Sequence, residues 1–168
     1  MEECTYKIIL VGNANVGKTT FFNKIKNNNY KLEKHSSTIG VDFSVFHKIN
    51  NDINIKINLW DTAGQENRGG KLRDAYLKGA DGVLLLYDVT ERKTKDNILD
   101  WITQIKNVAP SVPVAVLGNK SDKFKDLQQS ESVKLRDCTL QSTYENKNIR
   151  NFLISIKECF VYFCSVYL

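Results

Sequence analysis

Gly12-Asn13-Ala14-Asn15-Val16-Gly17-Lys18-Thr19 decides the fold of this chain. It fits G-x-x-x-x-G-K-[ST], the phosphate-binding loop pattern. The flanking residues supply the context that the pattern requires. Tyr6-Lys7-Ile8-Ile9-Leu10-Val11 is apolar and β-branched and reads as a buried strand, while Thr20-Phe21-Phe22-Asn23-Lys24-Ile25 reads as a helix start. Gly12 and Gly17 let the backbone curl, so that successive N–H groups aim at phosphate oxygens. The helix that follows adds its positive dipole end. Lys18 is placed to reach β- and γ-phosphates, and the Thr19 hydroxyl to ligate Mg²⁺. Asn15, Val16, Gly17 and Thr20 complete the phosphate-side candidates. The competing reading is a glycine turn that binds nothing, and the stretches downstream argue against it.

Outward from the loop, Asn27-Asn28-Asn29 breaks the helix and opens a polar loop to about Ser37. Val41-Asp42-Phe43-Ser44-Val45-Phe46-His47 reads as a strand, Asn50-Asn51-Asp52 as a turn, and residues 53–60 alternate apolar and polar with period two. The two strands read as a hairpin with one face buried. A short helix is expected near residues 72–78. Gly82-Val83-Leu84-Leu85-Leu86-Tyr87-Asp88 is continuously apolar up to its last residue, as in a strand covered on both faces. Ile98, Trp101, Ile102 and Ile105 give a helix its core stripe, and residues 113–118 form another buried strand. A short strand near 137–141 and a helix from about 148 complete an α/β, doubly wound sheet read as one domain over residues 1–168. Its site belongs at the carboxyl ends of the strands.

The chain has 168 residues, 42% hydrophobic and 26% charged, the composition of an ordinary globular domain. The net charge of +5 comes from scattered lysines rather than a basic run, so no nucleic-acid partner is expected. No apolar run reaches transmembrane length. Cys4, Cys138, Cys159 and Cys164 lack metal-ligand spacing and suggest no disulfide framework, so a reducing compartment is expected.

Three further stretches sit at the ends of expected strands. Asp61-Thr62-Ala63-Gly64 supplies a carboxylate for a magnesium shell, and the Gly64 N–H can approach a γ-phosphate closely. Gln65 is placed to orient an attacking water. In Asn119-Lys120-Ser121-Asp122 the Asp122 carboxylate can accept both N1–H and the 2-amino hydrogens of guanine, which adenine cannot satisfy. Thr38 offers a hydroxyl to magnesium and an N–H to the γ-phosphate only while that phosphate is present, which is the basis of a switch.

With these motifs in this order, the chain resembles a Ras-superfamily small GTPase from Tyr6 to about Phe160. The resemblance implies a P-loop NTPase G domain: a six-stranded, mostly parallel sheet with helices on both faces and its second strand antiparallel. It implies GTP and GDP as ligands, Mg²⁺ as cofactor, Gln65 and Lys18 as the catalytic pair, and Thr19, Thr38 and Asp61 around the metal. Tyr30 matches the family aromatic that packs on guanine, although an exposed loop tyrosine is an equal reading. Effectors, an exchange factor and a GTPase-activating protein would meet residues 30–46 and 61–78. Within the superfamily, residues 37–43, 59–66 and 76–80 look like Rab proteins of vesicle traffic. Phe43, Trp60 and Tyr76 fall where Rabs carry an effector-contacting aromatic triad, with core packing as the other reading. The runner-up is Ran, the nuclear-transport branch, which Gly69-Gly70-Lys71-Leu72-Arg73-Asp74 and Val45-Phe46-His47 echo. A third reading is a guanine-nucleotide-binding scaffold with little turnover. A cytoplasmic monomer is implied, acting at the cytosolic face of an intracellular membrane if a lipidated tail follows Leu168.

The sequence departs from the family in places. Where the family has Ser-Ala-Lys, this chain has Ser142-Thr143-Tyr144. The Thr143 N–H can still meet guanine O6, but the supporting lysine is gone. The span from Asn119 to Ser142 is several residues short. Arg68 replaces an apolar anchor of the second switch, and Lys71 looks inserted. Arg68 raises the idea of an arginine finger supplied in cis, with a solvated loop arginine the preferred reading. The apolar C-terminus reads as the end of the last helix and carries no C-a-a-X signal.

Overall fold

The apolar run that leads into the phosphate loop reaches further toward the N-terminus than its composition suggests, because β1 is Glu2–Val11. Pairing explains the extension. β1 lies parallel to β3 (Ile53–Asp61) from Glu2 opposite Ile53 to Leu10 opposite Asp61, and this ladder holds even its polar first residues extended. The structure is a computed structural model that describes residues 2–27, 41–50, 53–62, 71–120 and 123. All of these but Lys123 fall in one compact unit, Met1–Ser121, while Asp122–Leu168 forms a second.

β2 (Asp42–Asn50) runs antiparallel to β3, Asp42 opposite Asp61 and Asn50 opposite Ile53, which is the expected hairpin. Among the described residues the sheet has five strands in the order β2-β3-β1-β4-β5, with β4 at Gly82–Asp88 and β5 at Val114–Asn119. All pairs but the hairpin are parallel. The strand and final helix expected after residue 123 lie outside the described residues.

β4 is buried from Gly82 to Leu86 because it lies between β1 and β5 with both faces covered. On one face Ile9, Val11, Val83 and Leu85 pack with Leu77 of α2 (Lys71–Leu77) and with Trp101 and Ile105 of α4 (Ile98–Val108). The alternate residues Ile8, Leu10, Leu84 and Leu86 are also buried, as are Phe21 and Phe22 of α1 (Lys18–Lys26). Burying each such side chain contributes about 1.5–3 kcal/mol. No periodicity predicts α3 (Arg92–Asp96), whose polar sequence has no apolar stripe. The buried Thr94 holds that turn instead, its hydroxyl donating to Glu91 O at 2.7 Å and accepting from Asp88 N at 3.0 Å.

Candidate functional site

β1 ends at Val11 and α1 begins at Lys18, so the loop between them closes over the carboxyl edge of the sheet. Three of its residues have left-handed backbone: Gly12 at φ 140°, Asn15 at 62° and Gly17 at 93°. At two of them glycine is required. A Cβ on Gly12 would lie 2.1 Å from Leu86 O, and one on Gly17 would lie 2.4 Å from Asn119 Nδ2. Gly17 at the N-cap has no side chain with which to cap α1, and the first turn contains no acidic residue, so the positive helix end faces the loop. Lys18 is buried, and its ammonium donates to Gly12 O and Asn13 O, both at 2.7 Å. This cation is therefore held at the inner rim of the loop, where phosphate oxygens would converge.

The end of β5 closes the other side. Asn119 Nδ2 donates to Val16 O at 2.8 Å, and Lys120, in a left-handed turn at φ 65°, donates to Asn15 O at 2.6 Å. The Lys120 ammonium also pairs with Asp88 Oδ2 at 2.7 Å. Asp88 Oδ1 accepts from Thr90 N at 2.9 Å and Thr90 Oγ1 at 2.6 Å. Burial pushes the Asp88 carboxyl upward, but the Lys120 and Thr90 contacts outweigh it and hold the group below the usual carboxylate range.

Asp61 ends β3 with a fully buried side chain, opposite Leu10 in the ladder. Thr62 Oγ1 donates to Leu10 O at 2.7 Å and fixes the chain that leaves the strand. Asp61 and Thr19 are hard oxygen donors at the same sheet edge. Among the described residues no group of three His, Cys, Asp or Glu could hold a metal alone. That donor set suits Mg²⁺, which takes one or two protein oxygens and completes its shell with water and substrate phosphates.

The structure thus brings together Asn15, Val16, Gly17, Lys18, Asn119 and Lys120, and places Thr19, Thr20 and Asp61 at the same edge. Tyr30, Thr38, Gly64, Gln65, Arg68, Asp122, Ser142, Thr143 and Tyr144 lie outside the described residues. Two contributors escape a sequence reading. Asp88 looks like the last residue of an apolar strand, although a carboxylate ending such a run is itself a signal. Trp101 looks like core alone, yet its indole Nε1 donates to Asn13 Oδ1 at 2.9 Å.

Phe43 and Trp60 of the hairpin and Tyr76 of α2 form a continuous aromatic row with centroid separations of 5.6 and 5.9 Å. Phe43 is 54% exposed, while Trp60 and Tyr76 pack against the core.

The sequence model of the Ras family matches residues 7–159. The chain is 41% identical over 118 residues to Ras-related protein RABA1c of Arabidopsis thaliana, covering 70% of this chain and 54% of that protein. It is 34% identical over 165 residues to RABA6b of the same plant, covering 92% of this chain and 71% of that one. It is 40% identical over 118 residues to Ras-related protein Rab-3A of Homo sapiens, covering 70% and 53%. The chain thus spans about half the length of RABA1c and Rab-3A.

Proposed function

The chain belongs to the Ras family, and from that membership we propose that it is a Rab-like switch that binds GTP, hydrolyses it slowly to GDP and regulates membrane traffic. The observation that carries this reading is the junction of two loops. Asn119 and Lys120, which open the base-reading motif, are hydrogen-bonded to the backbone of the phosphate loop at Val16 and Asn15. A ligand with phosphates at one end and a base at the other fits that junction, and Asp122 in the sequence selects guanine.

Hydrolysis would be in-line attack of water on the γ-phosphorus. A new P–O bond forms as the β–γ bridging bond breaks, leaving GDP and inorganic phosphate. Lys18 stabilises charge on the β- and γ-oxygens, the loop amides cradle them, and Gln65 orients the water. Bound Mg²⁺, held by Thr19, Thr38 and Asp61, would neutralise phosphate charge. An arginine supplied by a partner is worth on the order of a thousandfold or more in such a site. The Rab-named relatives favour vesicle traffic over the Ran-like alternative. Effectors, exchange factors and GTPase-activating proteins are the corresponding partners, and we assign them residues 30–46 and 61–78. The Phe43-Trp60-Tyr76 row supports that assignment.

The test is binding of labelled GTP against ATP, followed by single-turnover phosphate release from the full chain and from Gln65→Leu. The reading requires a strong GTP preference, slow release and slower release still in the variant. ATP preference would sink it. Tight GTP binding with no phosphate release would leave the scaffold reading in its place.

A further inference from the structure

Asp88 lies in none of the motifs that read phosphate, base or metal, yet its carboxylate is nearly buried and fully engaged. β4 delivers it to the carboxyl edge of the sheet, opposite Asn119 of β5 in the parallel ladder. Its side chain is 10% exposed. One oxygen is fixed by Thr90, the other by the Lys120 ammonium. The same ammonium donates to Asn15 O, so a three-membered chain runs from the end of β4 through β5 to the phosphate loop. Lys120 adopts left-handed backbone, which a residue other than glycine, asparagine or aspartate seldom holds unless its surroundings enforce it.

A lysine side chain has several rotatable bonds and does not keep one direction unaided. Asp88 supplies that direction. We propose that Asp88 is a positioning residue for nucleotide retention: it holds Lys120 against Asn15 and so ties the base-reading turn to the phosphate loop. The proposal rests on the guanine-nucleotide reading. With the tie intact, a bound nucleotide leaves only if both loops loosen together. Without it, the base-reading turn opens alone and the phosphate loop loses one of its two described anchors at the end of β5. The anchor that remains is Asn119 on Val16.

The experiment is dissociation of fluorescent GDP from the full chain, chased with excess GDP, alongside urea unfolding of each variant. Asp88→Asn keeps the shape and a carbonyl for Thr90 but removes the charge that holds Lys120. It should release GDP about tenfold faster or more, because losing one partner of a buried charge pair appears mainly in the off-rate. Thr90→Val alters an exposed residue that orients the same carboxylate, and keeps the test intact if Asp88→Asn does not fold. A rise of about two- to threefold is expected for it, as for one lost hydrogen bond. Thr94→Val is the structural control. It loosens the same corner through the backbone of Asp88 and leaves the Asp88–Lys120 pair in place. It should lower the unfolding midpoint while leaving the GDP off-rate near that of the wild type. Wild-type off-rates in Asp88→Asn, or in Thr90→Val where that variant stands alone, would overturn the proposal. So would an equal rise in Thr94→Val, which would mean that any loosening of the corner has the same effect. A wild-type protein that retains no labelled GDP would overturn the guanine reading and the proposal with it.

Discussion

Gly12 shows how tightly a single residue can be constrained here. Its backbone sits at φ 140°, and an added Cβ would meet Leu86 O at 2.1 Å. That neighbour is main chain in the middle of β4 and cannot rotate aside. Gly12→Ala should therefore destabilise the protein by about 3 kcal/mol or more, near the upper end for single substitutions. Urea unfolding of wild type and variant measures this, and a loss under 1 kcal/mol would mean that the loop has a second conformation. Gly12 was legible in the sequence because the phosphate-loop pattern demands it. Lys18, Thr19, Asn119, Lys120 and Asp61 were legible for the same reason, since each motif ends an apolar run. Asp88 was not, because its role comes from pairing with a residue just past the end of another strand. Nothing along the chain announces a partner 32 residues away.

Periodicity marks whole elements in proportion to the strength of the pattern. Period two in β3 and the unbroken apolar run of β4 both appear as strands, within a residue of where the sequence puts them. The polar start of β1 and the short α3 escaped, one held by a ladder and the other by a buried threonine. In α4 the stripe was right and its purpose incomplete. Trp101 is 8% exposed and packs in the core, but its N–H also crosses to Asn13 Oδ1, on the loop whose carbonyls hold Lys18. The helix thereby steadies the phosphate loop from a third direction, besides β1 and β5. Trp101→Phe should keep most of the ring burial and lose the N–H, at about 1 kcal/mol of stability. Nucleotide release should accelerate about fivefold if that free energy falls mainly on the bound state. An unchanged off-rate would confine Trp101 to the core, whatever the stability change.

At the scale of the whole molecule, the sheet order places the ends of β3, β1, β4 and β5 side by side, so one carboxyl edge carries Asp61, the phosphate loop, Asp88 and Asn119. The described anchors that these strands carry therefore share one sheet edge. By the family resemblance, a further contact to the base would come from Ser142-Thr143-Tyr144, where the family carries Ser-Ala-Lys. That stretch follows a span shorter than the family's, so its contacts to the guanine should be fewer than usual. A deficit of about 1–2 kcal/mol would appear as a ten- to thirtyfold faster off-rate, since such differences are expressed mainly in dissociation. Thr143→Ala with Tyr144→Lys restores the family residues and should slow fluorescent-GDP release relative to wild type. The double substitution and Asp88→Asn alter different stretches of the sequence, and their combination measures whether the two are coupled. Off-rate changes that multiply would mean that the two act separately. If the double variant releases GDP at the wild-type rate, retention is governed by the phosphate loop and its anchors on β5, and the replaced lysine is neutral.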